Sequence, residues 1–306
     1  MTLDAVPSGD LAAGFHDRPG KGVAAGVVDL MAYQRDGFLV YRDLLGLDEV
    51  EALRRETLRL SRGERGQVDG MAQAGPEVAD EEVLRTVLCI HFPHKLSQPM
   101  HNLLLHPRVV EVLTVVIGPD VKAMQSMLFV KAEGKPGQAW HQDEYFIPTR
   151  DRSLTAAWIA LDDATTENGC LWVLPGSHRP GVIYPEREID DARFDCTTEA
   201  YHFPYSDDEA VPVELPAGGV IVFNGYLLHR SLPNRAQRSL RRAVANHYMS
   251  AQSLLPWRPP RDGEHMAMVD DRDIVMVAGE DPYAYRGFED RHRAYLRPDR
   301  EGGCDR

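Results

Sequence analysis

The stretch Trp140-His141-Gln142-Asp143-Glu144-Tyr145 decides how the rest of the chain is read. In a β-strand, residues i and i+2 share a face, so His141 and Asp143 can reach one ion while Gln142 points away. Two ligands leave a metal site half built. The completing group is assigned to His229, in Asn224-Gly225-Tyr226-Leu227-Leu228-His229, far down the chain. Two imidazoles and one carboxylate make the facial triad that holds Fe(II) with coordination positions left open. Bringing His229 to His141 requires a fold in which distant strands close on one another. Taken alone, His-x-Asp more often describes a surface histidine beside a solvated aspartate, so the surrounding sequence has to decide.

Around this stretch, residues 124–131, 140–146, 154–161, 170–174, 218–223, 226–229 and 242–249 have the composition of short strands. Turn residues separate them, as in Glu133-Gly134-Lys135-Pro136-Gly137 and Pro175-Gly176-Ser177-His178. This spacing predicts a sandwich or jelly roll. Upstream, apolar periodicity predicts helices over 28–37, 47–62, 96–105 and 108–116, with a strand at 38–41. Residues 67–80 lack periodicity and read as a surface loop, a candidate lid. Residues 1–26 read as a loosely ordered N-terminus and 27–306 as a single domain. From about residue 255 a charged, Pro-containing tail is expected to pack on the barrel as helix or irregular chain.

The totals narrow the class. A chain of 306 residues with 43% hydrophobic and 26% charged residues is long enough for one sizeable core. A formal charge of −13 argues against sequence-independent nucleic-acid binding and against an anionic membrane surface. No apolar run reaches membrane-spanning length, and the first residues lack the pattern of a secretory leader. Cys89, Cys170, Cys196 and Cys304 are scattered without CxxC spacing and read as reduced thiols of a cytoplasmic protein. Arginines outnumber lysines, as in proteins of GC-rich bacteria. Nothing in the pattern sets an oligomeric state.

Downstream of His229 lie Ser231 and the pair Arg241-Arg242. An iron oxygenase that consumes 2-oxoglutarate needs a cation and a hydroxyl for the distal carboxylate. An arginine fork suits that carboxylate because it bonds bidentately and keeps its charge when buried. A solvated basic patch is the plainer reading of Arg238, Arg241 and Arg242.

The ordered set His141-x-Asp143, Trp158, Asn168-Gly169-Cys170-Leu171-Trp172-Val173-Leu174-Pro175-Gly176-Ser177-His178, His229-x-Ser231-x-x-Asn234 and Arg241-Arg242-Ala243 resembles the phytanoyl-CoA dioxygenase family. The resemblance covers about residues 28–249. It implies a mainly β double-stranded β-helix (a cupin-like jelly roll) with flanking N-terminal helices, Fe(II) as cofactor and 2-oxoglutarate as cosubstrate. By that resemblance His141, Asp143 and His229 are the metal ligands. Arg241 and Ser231 hold the 2-oxoglutarate carboxylate, and Met127 and Trp158 line its pocket. For Met127 and Trp158 an ordinary core position is an equal alternative. Two departures stand out. Arg230 follows the distal histidine where the family usually has glycine, and the arginine lies one residue further on than usual, which leaves Arg242 open beside Arg241. Gln125, Tyr145, His91 and Arg150 are candidate substrate contacts, while His101, His106, His202, His265 and His292 read as surface or satisfied core groups.

Relatives that halogenate replace the carboxylate ligand with a small residue. Asp143 is present, so the implied reaction is hydroxylation of an aliphatic C–H of a small molecule with O₂, giving succinate and CO₂, in bacterial secondary metabolism. An acyl-CoA hydroxylase of the same mechanism is the alternative. A jelly-roll metal enzyme without 2-oxoglutarate, or a binding module, is disfavoured by Arg241, Ser231 and the complete triad. No acid–base residue beyond the metal ligands is called for.

Overall fold

A computed structural model describes residues 28–195 and 198–297; the stretch 1–26, Cys196 and Cys304 lie outside them. Helix α1 (Leu30–Asp36) starts where the Asp29 carboxylate accepts the Ala32 N–H at 2.9 Å. It stops at Gly37, whose φ of 87° is open to glycine at little cost, and the chain passes directly into β1 (Phe38–Tyr41). Then come α2 (Leu47–Ser61), α3 (Asp80–Thr86), β2 (Cys89–His91), α4 (Gln98–Leu104) and α5 (Pro107–Val116). Helix α3 and strand β2 escaped the sequence reading because seven and three residues carry too little periodicity to register.

The strand-rich part follows: β3 (Val121–Ala132), β4 (Gln138–His141), α6 (Asp143–Phe146), β5 (Thr155–Ala160), β6 (Leu171–Val173), β7 (Glu186–Glu188), β8 (Thr198–Ala200), β9 (Val211–Val213), β10 (Val220–Asn224), β11 (His229–Ser231), β12 (Leu240–Ser250), β13 (Val275–Ala278) and β14 (Tyr295–Arg297). One eight-stranded sheet runs β1-β10-β5-β12-β3-β2-β14, with β13 also paired to β3. A four-stranded sheet runs β4-β11-β6-β9, and β7 and β8 form a separate ribbon. All these pairings are antiparallel. The protein is therefore mainly β, as expected.

Strand alternation sorts the large sheet into two apolar faces. Met127, Phe129, Trp158, Phe223, Ala243 and Ala245 point towards the small sheet, where they meet Leu171 and Val173 of β6. Leu128, Val130, Ile159, Val222 and Val244 point the other way and meet Val50 and Leu53 of α2, Leu104 of α4 and Leu113 of α5. Burial on both faces explains why these strands read as apolar runs. Among the described residues no helix is long and apolar enough to cross a membrane.

Three expectations need correction. The strand that carries His141 ends there, and Asp143 opens the short helix α6. Residues 225–228 form a turn, so the distal histidine begins its strand instead of ending it. The tail after 255, expected as helix or irregular chain, also contributes strands: it adds β13 to β3 and β14 to β2, where short strands find unpaired edges.

Candidate active site

Histidines 141 and 229 sit directly opposite each other in the β4–β11 register. Their Nε2 atoms lie 3.7 and 3.5 Å from Asp143 Oδ1, and the three ligand atoms fall within 4.8 Å of one another. Asp143 arrives from the first turn of α6, which is anchored by its predecessor. The buried Gln142 amide donates to Val182 O (3.0 Å) and Tyr226 O (2.7 Å) and accepts from Tyr184 N (2.8 Å).

Each histidine meets the carbonyl two residues back through Nδ1: His141 with Ala139 O at 2.8 Å and His229 with Leu227 O at 2.9 Å. A carbonyl only accepts, so Nδ1 carries a proton and Nε2 is the nitrogen turned to Asp143. Burial, together with neighbouring His229, pushes the His141 imidazole down to about 3, which keeps it neutral. Burial favours a protonated Asp143, yet His229, His247 and His141 around it hold the carboxyl below its usual range. Two imidazole Nε2 atoms and a carboxylate converging in one buried space form a set that can hold a cation, and this nitrogen–oxygen combination suits Fe(II).

His247 was not singled out from the sequence. It is buried on β12 with Nε2 3.3 Å from Asp143 Oδ2. The available signal was parity, because Arg241, Ala243, Ala245 and His247 alternate onto the same inward face.

The triad lines a cavity of about 890 Å³, with Met127 and Trp158 in its wall. Beside it, between the sheets, a recess of about 20 Å³ is lined by Lys131, Ser231 and Arg241; it shares Phe129, Gln138, Trp158, Leu171 and Arg297 with the larger cavity. Arg241 is 2% exposed, its guanidinium lies 5.2 Å from the Trp158 ring centre, and its Nε has no hydrogen-bond partner among the described residues. Burial lowers Arg241 to about 10, which still leaves it charged at neutral pH. Arg242 faces outward, with Nε 2.7 Å and Nη2 2.8 Å from the carboxylate of Asp162. Of the two arginines, only Arg241 reaches the recess. The close approach of β4 and β11 depends on Gly137, since a Cβ there would lie 1.9 Å from Ser231 O.

His91, Gln125 and Tyr145 line the large cavity. Burial and the nearby Arg297 push the His91 imidazole well below its usual range, and its ring stacks on Tyr295 at 4.4 Å. Arg150 is not brought to the cavity: its guanidinium donates to the backbone carbonyls of Met266 (2.7 Å) and Ala267. Arg230 also turns away, onto the Trp140 ring at 4.5 Å and Asp207 at 2.8 Å. His292, read from sequence as a surface or core group, belongs to the cavity wall, where it stacks on Phe92 at 4.8 Å. It comes from the C-terminal segment, which also supplies Arg291, Tyr295 and Arg297, while Asp69 and Gly70 reach the wall from the 67–80 loop.

Known proteins share the sequence pattern and the fold of this chain. A family profile described as phytanoyl-CoA dioxygenase (PhyH) matches residues 33–243. The chain is 37% identical over 130 residues to a phytanoyl-CoA dioxygenase of Arabidopsis thaliana, covering 42% of this chain and 44% of the plant protein, less than half of that relative's length. It is 30% identical over 273 residues to phytanoyl-CoA dioxygenase domain-containing protein 1 of Bos taurus, covering 75% and 91% of the two chains. The fold resembles that of the non-heme monooxygenase ThoJ in its apo form, with a TM-score of 0.63 at 21% identity over 83% of this chain and 85% of the other. By profile and by the Bos taurus relative, the chain belongs to the phytanoyl-CoA dioxygenase family of iron- and 2-oxoglutarate-dependent oxygenases.

Proposed function

We propose that this protein is a cytoplasmic Fe(II)/2-oxoglutarate-dependent dioxygenase that hydroxylates an aliphatic C–H of a small molecule of bacterial secondary metabolism. O₂ and 2-oxoglutarate are consumed, and the hydroxylated product, succinate and CO₂ are released. The observation that carries the reading is a cavity and an adjoining recess that share part of one wall, each with its own polar end. In the cavity two imidazole Nε2 atoms converge on Asp143, and in the recess a buried charged arginine holds an Nε without a partner among the described residues. On this reading the two packed sheets form a double-stranded β-helix, and residues 27–306 act as a single oxygenase domain.

His141, Asp143 and His229 would hold the iron. When bound, iron and 2-oxoglutarate together supply the activation of O₂. The protein's own residues bind, orient and exclude water. Arg241 offers its fork to the distal carboxylate of 2-oxoglutarate and Ser231 a hydroxyl, with the recess too narrow to admit much solvent. Met127 and Trp158 form the apolar wall along the cosubstrate chain. The remaining cavity is within the usual range for a small-molecule site, and Gln125, Tyr145 and His91 are its polar contacts towards substrate. A carboxylate at position 143 leaves no room for a halide ligand, which favours hydroxylation over halogenation.

Anaerobic addition of 2-oxoglutarate to the Fe(II)-loaded protein tests this. The expected result is a visible metal-to-ligand charge-transfer band that disappears in Asp143→Ala and in His229→Ala while circular dichroism is unchanged. A full cosubstrate-dependent band in both variants would overturn the ligand assignment. Screening small molecules for stimulated succinate release then addresses the substrate.

A further inference from the structure

Lys131 has no part in the reading above, yet its side chain ends in the recess that Arg241 and Ser231 line. It stands directly across from Arg241 in the β3–β12 register and is 3% exposed. Burial and the adjacent Arg241 push its amine well below the usual lysine range. Nζ donates to Ser231 Oγ at 2.9 Å and to Leu232 O at 2.9 Å. Even a neutral amine has two N–H groups, so both bonds survive loss of the charge. Gly169 leaves the space for this contact, since a Cβ there would lie 3.0 Å from Nζ and 2.4 Å from Leu232 O.

The consequence falls on Ser231. A hydroxyl has two acceptor sites and one proton. One site takes the Lys131 N–H, and the other takes the Gln138 backbone N–H at 3.2 Å. With both acceptor sites engaged by donors, the hydroxyl can meet a further group only by donating, and the recess is where Arg241 waits beside it.

We propose that Lys131 is a positioning residue that fixes the Ser231 hydroxyl as a donor to the distal carboxylate of 2-oxoglutarate. This rests on the cosubstrate reading given above. The lysine does not touch the carboxylate; it removes the alternative in which Ser231 turns its lone pairs to the anion.

The test is a set of anaerobic titrations of Fe(II)-loaded protein, following the charge-transfer band. Lys131→Met should raise the Kd for 2-oxoglutarate about 5- to 20-fold. It should leave the Kd for 2-oxovalerate, which has a methyl group in place of the distal carboxylate, within about twofold. Lys131→Gln, which keeps an N–H near Ser231, should recover part of the loss and serves if the methionine variant folds poorly. In a Ser231→Ala background Lys131→Met should have little further effect, because its route to the carboxylate is gone. An unchanged Kd in Lys131→Met, an equal loss for 2-oxovalerate, or a full additional loss in the Ser231→Ala background overturns the inference while the cosubstrate reading stands. Absence of a 2-oxoglutarate-dependent band in the wild-type protein removes that reading and the inference together.

Discussion

Arg241 and Arg242 are adjacent and chemically identical, and their surroundings could hardly differ more. Arg242 is matched by Asp162, which also meets Arg54 Nη2 at 3.0 Å on the helix-covered side. Arg241 is buried against Trp158 with an unmet Nε. Replacing Arg241 with methionine should therefore cost about 2–4 kcal/mol of 2-oxoglutarate binding, roughly 30- to 1000-fold in Kd by calorimetry on the metal-loaded protein. Arg242→Met should leave that Kd within about twofold and lower unfolding stability by about 1 kcal/mol in urea. His247 is the other residue whose role is set by its neighbour. It bonds the far oxygen of Asp143 and so limits the carboxylate's rotation. His247→Ala should weaken metal binding about 10- to 100-fold in a Co(II) titration, with the fold retained.

At the scale of elements, the inward faces of β5 and β12 carry Ala156, Ala160, Ala243 and Ala245 where the outward faces carry Ile159 and Val244. Of these small side chains, the one at position 245 leaves room for the cavity between the packed sheets. Ala245 lines that cavity and stands in register with both Met127 and Trp158. Ala245→Leu would extend into open space, so its melting temperature should stay within a few degrees of wild type while 2-oxoglutarate binding weakens at least about tenfold. Ala157→Leu, on the outward face packed within the helix-covered core, should instead cost about 1–3 kcal/mol in stability and leave binding intact.

For the molecule as a whole, the C-terminal segment is held over the cavity by buried charge. Arg272 pairs with Asp270 at 3.2 Å and with Asp281, Asp273 pairs with Lys95, and Asp271 accepts from Arg291 Nη1 at 2.8 Å and meets His292 Nε2 at 3.1 Å. Removing one partner leaves a buried charge uncompensated, so Arg272→Met should cost about 3–5 kcal/mol. Burial alone would raise the Asp271 carboxyl, but His292, the Asp273 N–H and Arg291 hold it below its usual value. A carboxyl depressed in the folded state contributes fully above its unfolded pKa of about 4 and loses that contribution as pH falls through the folded value. Acidification below about pH 4 should therefore loosen residues 291–297 before the sheets unfold, seen as faster amide exchange there. Asp271→Asn should flatten that acid limb.

The sequence by itself determined the family, the mainly β class and the identity of the converging triad, because residue types at those spacings are few and their chemistry is specific. Short apolar runs bounded by turn residues also made most strands of the large sheet legible, and apolar periodicity four helices. The short elements α3, β2, β7, β8 and β9 were not, since three to seven residues hold too little pattern and form only where an edge or a neighbour receives them. What only the tertiary structure decided is which faces look inward. The choice of Arg241 over Arg242, the support His247 gives Asp143, the proximity of Lys131 to Ser231 and the wall built from His292 and Tyr295 all depend on contacts between residues some 80 to 200 positions apart. Such contacts are fixed by the register of paired strands, and register is set by the packing of the whole core.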